Sequence, residues 1–283
     1  MDTAVTERPG ALLRRFGVRP KKSLGQNFLY DPVWLQRIVA AGEVGPQDVV
    51  LEIGPGTGSL TCSLAAVARE VVAIELDERL LPLLAHVLQG CENVTVVAGD
   101  ILQRDLRQLL PAAVHSGFKV VANIPYYITG QIVRHLLQSD LRAALLVLSV
   151  QREVADRMAA DAGEMSMLAV SVQFYCSVQI VACIPAGAFY PPPEVDSAVV
   201  RLAVHPQTAR PHPAARRFFR VARAGFAQRR KQLQNALAHG LTLPREQTAV
   251  ALRAAGVDPR RRAQTLSLHE WARLTDCLPD PSH

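Results

Sequence analysis

Asn123, Pro125 and Tyr126 close the run "VVANIPYY", where an apolar, β-branched stretch breaks into an amide, a proline and an aromatic ring. A buried amide without a partner costs stability, so its position at a strand end points to a ligand. The exocyclic amine of adenine is a ligand that would use it. That amine is a poor nucleophile because its lone pair is delocalised into the ring. Acceptors for both N–H bonds turn the lone pair toward an electrophile. Asn123 supplies an amide oxygen, and Ile124-Pro125 fixes a carbonyl, because proline restricts its own backbone and its neighbour's. Tyr126 offers a face for the base to stack on. Acceptors held rigidly where the amine must sit would act by positioning and preorganisation.

The segment "VVLEIGPGTGSL" places Glu52, Gly54, Gly56 and Gly58 directly after a strand signal and before a helical one. Glycines there let the chain turn sharply and approach a ligand without a clashing Cβ. The G-x-G-x-x-G fingerprint fails at Ser59, whereas G-x-G-x-G is met. Glu75 ends the next strand, 21 residues after Gly54, a spacing suited to gripping a ribose diol. Asp100 follows the third strand, where its carboxylate can accept from an adenine amine. A ligand running from Gly54 past Glu75 to Asp100 carries an adenosine. NAD and S-adenosyl-L-methionine both contain one; the G-x-G-x-G form and the third acid favour S-adenosyl-L-methionine. Its sulfonium is already a strong electrophile, so the reading calls for no metal. The eight histidines form no H-x-H or H-E-x-x-H, and the five scattered cysteines form no C-x-x-C. That pattern predicts reduced thiols in a cytoplasmic protein without structural zinc.

Strands are predicted at 49–53, 71–74, 94–98, 119–122 and 145–150, with helical patterns between them at 60–67, 79–88, 106–110 and 131–137. This alternation predicts an α/β fold, a doubly wound and mostly parallel sheet. Helical stretches at 152–158 and 167–175 follow. Two further strands at 178–184 and 198–204, joined by "AFYPPPEVDS", read as an antiparallel edge hairpin that completes seven strands. Residues 1–22 read as a flexible basic arm, 23–205 as the ligand-binding domain and 206–283 as a small all-α domain. The proline-rich "HPQTARPHP" (205–213) is the linker between the last two. No run approaches a membrane span and the N-terminus has no apolar core of a signal.

The charge is unevenly spread: from Pro206 onward there are 14 Arg and Lys against 5 Asp and Glu, leaving 17 against 20 before it. An acidic-to-neutral body with a basic tail suits a polyanion partner. On a helix, Arg216, Arg220 and Arg223 fall on one face while Phe218 and Val221 turn toward a core. Arg229, Arg230 and Lys231 follow, and Arg260-Arg261-Arg262 read as an extension of the same surface. Such a stripe would meet RNA phosphates.

Assembled, these residues resemble the bacterial 16S rRNA adenine N6,N6-dimethyltransferase family, with a Rossmann-like methyltransferase fold. The resemblance runs from "KKSLGQNFLYD" through "LEIGPGTGSLT", "AIELD", "GDIL", "NIPYYI" and "FYPPPEVDSAVVRL" to "FAQRRKQLQNAL". It implies that Asn27 and Leu29 close over the methionine end of S-adenosyl-L-methionine. It implies also that Gly54 lines the turn, that Glu75 binds the ribose hydroxyls and that Asp100 meets the adenine. Asn123 would border the donor methyl and hold the target amine. Tyr126 and Phe189 would sandwich the target base, although Phe189 also suits a hairpin core. Tyr127 receives no role. The implied substrate is a pair of adjacent adenosines near the 3′ end of 16S rRNA, in the small ribosomal subunit or its precursor, whose loop bases are already partly unstacked. A monomer is expected. Three alternatives remain open: a resistance-type 23S rRNA adenine dimethyltransferase, a non-enzymatic RNA-binding assembly factor, and a nicotinamide oxidoreductase.

Overall fold

The computed structural model describes residues 7–111, 114, 117–141, 143–206 and 213–279. The chain divides into two compact units. One comprises Met1–Ala155 with Ser177–Val204, the other Asp156–Cys176 with His205–His283.

In the first unit, β1 (Phe28–Leu29) and α2 (Pro32–Ala41) follow α1 (Pro9–Arg15). Then β2 (Val49–Ile53), α3 (Ser59–Ala65), β3 (Glu70–Glu75), α4 (Leu81–Val87), β4 (Val94–Ala98), α5 (Leu106–Leu109), β5 (Phe118–Asn123), α6 (Thr129–Gln138) and β6 (Ala143–Gln151) alternate. The chain then passes through α7 (Arg152–Met158) and α8 (Met167–Gln173), whose residues from Asp156 on belong to the second unit, before β7 (Cys176–Ile184), β8 (Phe189–Tyr190) and β9 (Ser197–Val204). The main sheet has seven strands in the order β4-β3-β2-β5-β6-β9-β7. From β4 to β6 every pairing is parallel, and β9 runs antiparallel to β6. The predicted seven-stranded, mostly parallel sheet is present. Its last two strands lie side by side at one edge, with β9 against β6. A separate two-stranded antiparallel pair joins Phe28 to Tyr190 and Leu29 to Phe189.

Parallel strands covered on both faces carry continuous apolar runs, and all five residues of β2 are buried. Each such Val, Leu or Ile contributes about 1.5–3 kcal/mol when fully buried. The chain order reverses beside β2, where β3 lies on one side and β5 on the other. In open α/β sheets the crevice beyond the carboxyl ends of the strands at such a point receives ligands.

The N-terminal segment departs from the expected flexible arm. Pro9 opens α1, and Leu12, Leu13 and Val18 are buried in an apolar cluster with Phe28, Leu80, Leu83 and Leu84. The two leucines, more than the neighbouring arginines, decide its fate. Residues 1–6 lie outside the described residues. Helix α2 also went unpredicted, although Asp31 caps it by accepting from Val33 N at 2.9 Å and Pro32 sits in its first turn.

The second unit contains α9 (Pro213–Phe226), α10 (Leu233–Leu241), α11 (Arg245–Ala254) and α12 (Leu268–Cys277). Residues 156–176 group with these helices, not with the sheet domain expected at 23–205. The cause is aromatic: the Phe174 ring packs on Phe218 and Phe219 with centroids 4.6 Å and 4.9 Å apart. Helix α9 approaches α10 so closely that a Cβ on Gly240 would lie 2.7 Å from that of Ala224. A capping box between Ser267 and Glu270 starts α12, which buries Trp271. The linker expected at 205–213 falls largely outside the described residues.

Candidate active site

At the carboxyl ends of β2 to β5 the first unit encloses a cavity of about 750 Å³, counting its open mouth. Its walls come from four strand ends and from the segment before β1. Strand β2 contributes the glycine turn. Gly54, Gly56 and Gly58 have φ of +70°, +59° and +82°, a left-handed path that L side chains rarely take. A Cβ at Gly56 would meet the Phe28 ring at 2.6 Å, whereas Gly54 faces open space. The turn is thus closed on its Phe28 side and open toward the cavity.

Glu75 ends β3 and is 5% exposed. Its Oε2 accepts from Gly56 N at 3.1 Å and its Oε1 from Asp77 N at 2.8 Å. Burial raises the carboxyl above its ordinary range, and these backbone donors offset part of the rise. Each carboxylate oxygen retains a further lone pair, so the group can still accept a diol. Asp100 follows β4 on the cavity wall, its Oδ1 accepting from Leu102 N at 2.9 Å.

Strand β5 ends at Asn123. Its Nδ2 donates to the Asn27 carbonyl at 2.9 Å, which fixes the amide plane. The opposite atom, Oδ1, is buried without a hydrogen-bond partner. The side chain lines the cavity, so an acceptor of fixed direction stands ready for a donor. Tyr126 lines the same wall, its hydroxyl 2.6 Å from Ser197 Oγ, and burial pushes the phenol above its ordinary range.

The structure therefore brings Asn27, Gly54, Glu75, Asp100, Asn123, Pro125 and Tyr126 to one cavity. Leu29 and Phe189 stand apart from it. They pair across β1 and β8 and are 4% and 2% exposed, within a core cluster that includes Ile184, Ala188 and Val199. Leu29 borders a smaller side cavity beside Asn123. The two-residue register turns the Phe189 ring inward, so the implied aromatic sandwich is not presented at the cavity. Tyr127, given no role from the sequence, lines the cavity and is 55% exposed.

Sequence reasoning passed over Asp77. Its carboxylate accepts from Arg79 Nη2 at 2.6 Å and from Gln26 Nε2 at 2.8 Å, tying the segment that carries Asn27 to the end of β3. The signal was present in "AIELD", two residues beyond Glu75.

In the second unit, Arg216, Arg220 and Arg223 are exposed on α9, while Phe218 and Val221 are buried, as the spacing predicts. Arg229, Arg230 and Lys231 are exposed directly after it. None of these six forms an ion pair among the described residues. The expected extension through 260–262 breaks at Arg261, which bridges to Glu270 with Nη1–Oε1 at 2.5 Å and braces the start of α12. Arg260 is paired with Asp258 at 3.1 Å.

A parallel sheet with a glycine turn at its switch point, acids on the next two strand tips and an amide on the fourth defines a Rossmann-like methyltransferase. Comparison with known proteins gives the particular group. The model of the ribosomal RNA adenine dimethylase family matches residues 17–280. A ribosomal RNA small subunit methyltransferase A of Moorella thermoacetica is 46% identical over 292 residues, covering 98% of this chain and 99% of the relative. Among solved structures, the 23S rRNA methyltransferase ErmE is 31% identical with a TM-score of 0.71, over 89% of this chain and 99% of that one. A dimethyladenosine transferase from Plasmodium falciparum is 25% identical with a TM-score of 0.74, over 87% and 95%. The chain belongs to the ribosomal RNA adenine dimethylase family.

Proposed function

We propose that this chain dimethylates the N6 amines of two adjacent adenosines in the 3′-terminal hairpin of 16S rRNA, with S-adenosyl-L-methionine as methyl donor. The observation that carries the reading is the buried, unpartnered Asn123 Oδ1, aimed by the bond from its own amide nitrogen to Asn27. When bound, the donor supplies an electrophilic methyl group on a sulfonium.

The residues fit such a donor. Gly54 leaves open space beside the turn, Glu75 has free lone pairs for ribose hydroxyls, and Asp100 lies at the next strand tip to meet the adenine. Asn27 and Leu29 belong to the segment that would close over the methionine end. Asn123 accepts one N–H of the target amine, and a backbone carbonyl held by Pro125 accepts the other. Tyr126, steadied by Ser197, offers the stacking face. An amine gripped in this way would present its lone pair, a preorganisation effect. Phe189 would join the sandwich only if β8 turned its ring outward. In the tail, Arg216, Arg220, Arg223, Arg229, Arg230 and Lys231 would bind rRNA phosphates, each contact adding salt dependence.

The 46% identity to a small-subunit enzyme, against 31% to a 23S enzyme, favours 16S rRNA as substrate. Transfer of tritiated methyl groups to under-methylated small subunits, followed by nucleoside analysis, tests this directly. Recovery of dimethyladenosine from small subunits is expected; label appearing only in large subunits would overturn the assignment.

A further inference from the structure

Three aromatic rings border the main cavity. Phe28 is buried against Gly56, and Tyr126 is held by its bond to Ser197. Tyr127 is the third, and at 55% exposure it is the most exposed aromatic residue among those described. Its ring lies against Gly25, where a Cβ would stand 3.4 Å from Tyr127 Cδ1. The φ of +59° at Gly25 disfavours any such side chain, so the ring keeps its seat on bare backbone. Successive residues of a 3₁₀ turn point about 120° apart. In the turn Tyr126–Ile128 the first ring therefore faces inward and the second stands on the rim.

The segment that carries Gly25 is basic. Residues 8–30 hold six Arg and Lys and no acid. Arg14, Arg19 and Lys22 are exposed and form no ion pair among the described residues. Lys22 opens the 3₁₀ turn Lys22–Leu24, and Gly25 closes it by donating its N–H to the Lys22 carbonyl at 3.0 Å. The exposed ring thus rests on the tight turn that carries a free ammonium. Drawing a base out of a strand into a pocket breaks its stack with the neighbour left behind. An aromatic face beside the pocket restores that stack, and a cation beside it meets the backbone phosphate.

Resting on the substrate reading above, we propose that the rim holds the nucleotide next to the target adenosine, with its base stacked on Tyr127 and its phosphate against Lys22. The target base goes inward to Tyr126 while its neighbour, the other adenosine of the pair, stays outside. Tyr127 then selects a purine beside the target, because a pyrimidine stacks on it less strongly.

Methyl transfer to under-methylated small subunits tests this, with the native pair and with each adenosine replaced in turn by uridine. On the native pair, Tyr127→Ala should lower kcat/KM about tenfold, mainly through KM, and Tyr127→Phe should keep the wild-type value. One of the uridine replacements should cost the wild type about threefold at the remaining adenosine and cost Tyr127→Ala nothing. Lys22→Ala should lower the slope of log kcat/KM against log[salt] by about 1. Calorimetric titration with S-adenosylmethionine separates any effect on the donor. Equal costs of uridine in wild type and Tyr127→Ala, a Tyr127→Phe loss as large as that of Tyr127→Ala, a Tyr127→Ala defect absent or confined to donor affinity, or an unaltered slope in Lys22→Ala overturns the proposal and leaves the substrate reading intact. Failure of the wild type to methylate subunits carrying the native pair overturns both.

Discussion

Replacing Asp77 by Asn preserves side-chain volume and removes the charge to which three neighbours are tied. The carboxylate is 4% exposed, and Lys21 Nζ stands 3.8 Å away in addition to Arg79 and Gln26. The Arg79 hydrogen bond, ahead of every other contribution, lowers the acid from 3.8 to about 2. At 1.36 kcal/mol per unit, this caps the stabilisation at about 2.4 kcal/mol. Arg79 and Lys21 are 40% and 46% exposed, so solvent screening brings the expected loss at pH 7 to about 1–2 kcal/mol. For a unit of this size that is about 3–6 °C in Tm. The folded acid lies below its unfolded value, so the contribution is complete above 3.8 and is lost as pH falls through about 2. By pH 3 about half of it should remain. Urea midpoints of the wild type and Asp77→Asn at pH 7, 5 and 3, at low ionic strength, measure the difference. A gap that does not narrow by pH 3, or no gap at pH 7, refutes the account. Loosening of the Gln26–Phe28 segment should also weaken donor affinity in the variant.

Asn123→Ala should retain RNA binding and lose methyl transfer by about 10²-fold or more, the scale for removing one preorganised polar group; unchanged single-turnover rates would remove Asn123 from the chemistry. Substituting Arg229, Arg230 and Lys231 together by Ala should lower the slope of log K against log[salt] for RNA by about 2–3; an unaltered slope would make them ordinary solvated charges. Phe189→Leu should cost about 1 kcal/mol of stability through imperfect packing and spare most activity. Undiminished stability with lost transfer would show that the ring leaves the core to meet the base.

What could be read from the sequence was set by local signals. Strands β2 to β6 announce themselves as β-branched runs bounded by turn residues, and the acids at their tips fall at spacings that a parallel sheet imposes. The turn at Gly54, Gly56 and Gly58 is legible because its φ values leave few other residues. Other features depend on partners distant in sequence. Strands β1 and β8 are two residues each, too short for any period, yet their register decides that Phe189 faces the core. Residues 156–176 join the second unit because Phe174 meets Phe218 and Phe219, a meeting that no nearby residue encodes. Helix α1 was obscured by Arg14 and Arg15, although Leu12 and Leu13 determine its burial. Helix α2 is legible from Asp31-Pro32, a capping carboxylate followed by a proline in the first turn.

Two of the acceptors beside the glycine turn, Glu52 Oε2 and Asn123 Oδ1, are buried and unsatisfied. Each such group costs about 1–3 kcal/mol when left without a donor, and neither side chain is needed to build the sheet, whose β2–β5 pairing at Val50 and Leu51 stops short of both residues. Apolar residues of the same size would pack there at less cost. Their positions on neighbouring strands, Glu52 on β2 and Asn123 at the end of β5, put both on the cavity side of the switch point. A fold that keeps two unsatisfied acceptors at one strand junction, while satisfying Glu75 and Asp77 nearby, has directional vacancies for N–H donors. The amine of an adenine is a group of that kind, and Asn123 Oδ1 is the acceptor that would take it.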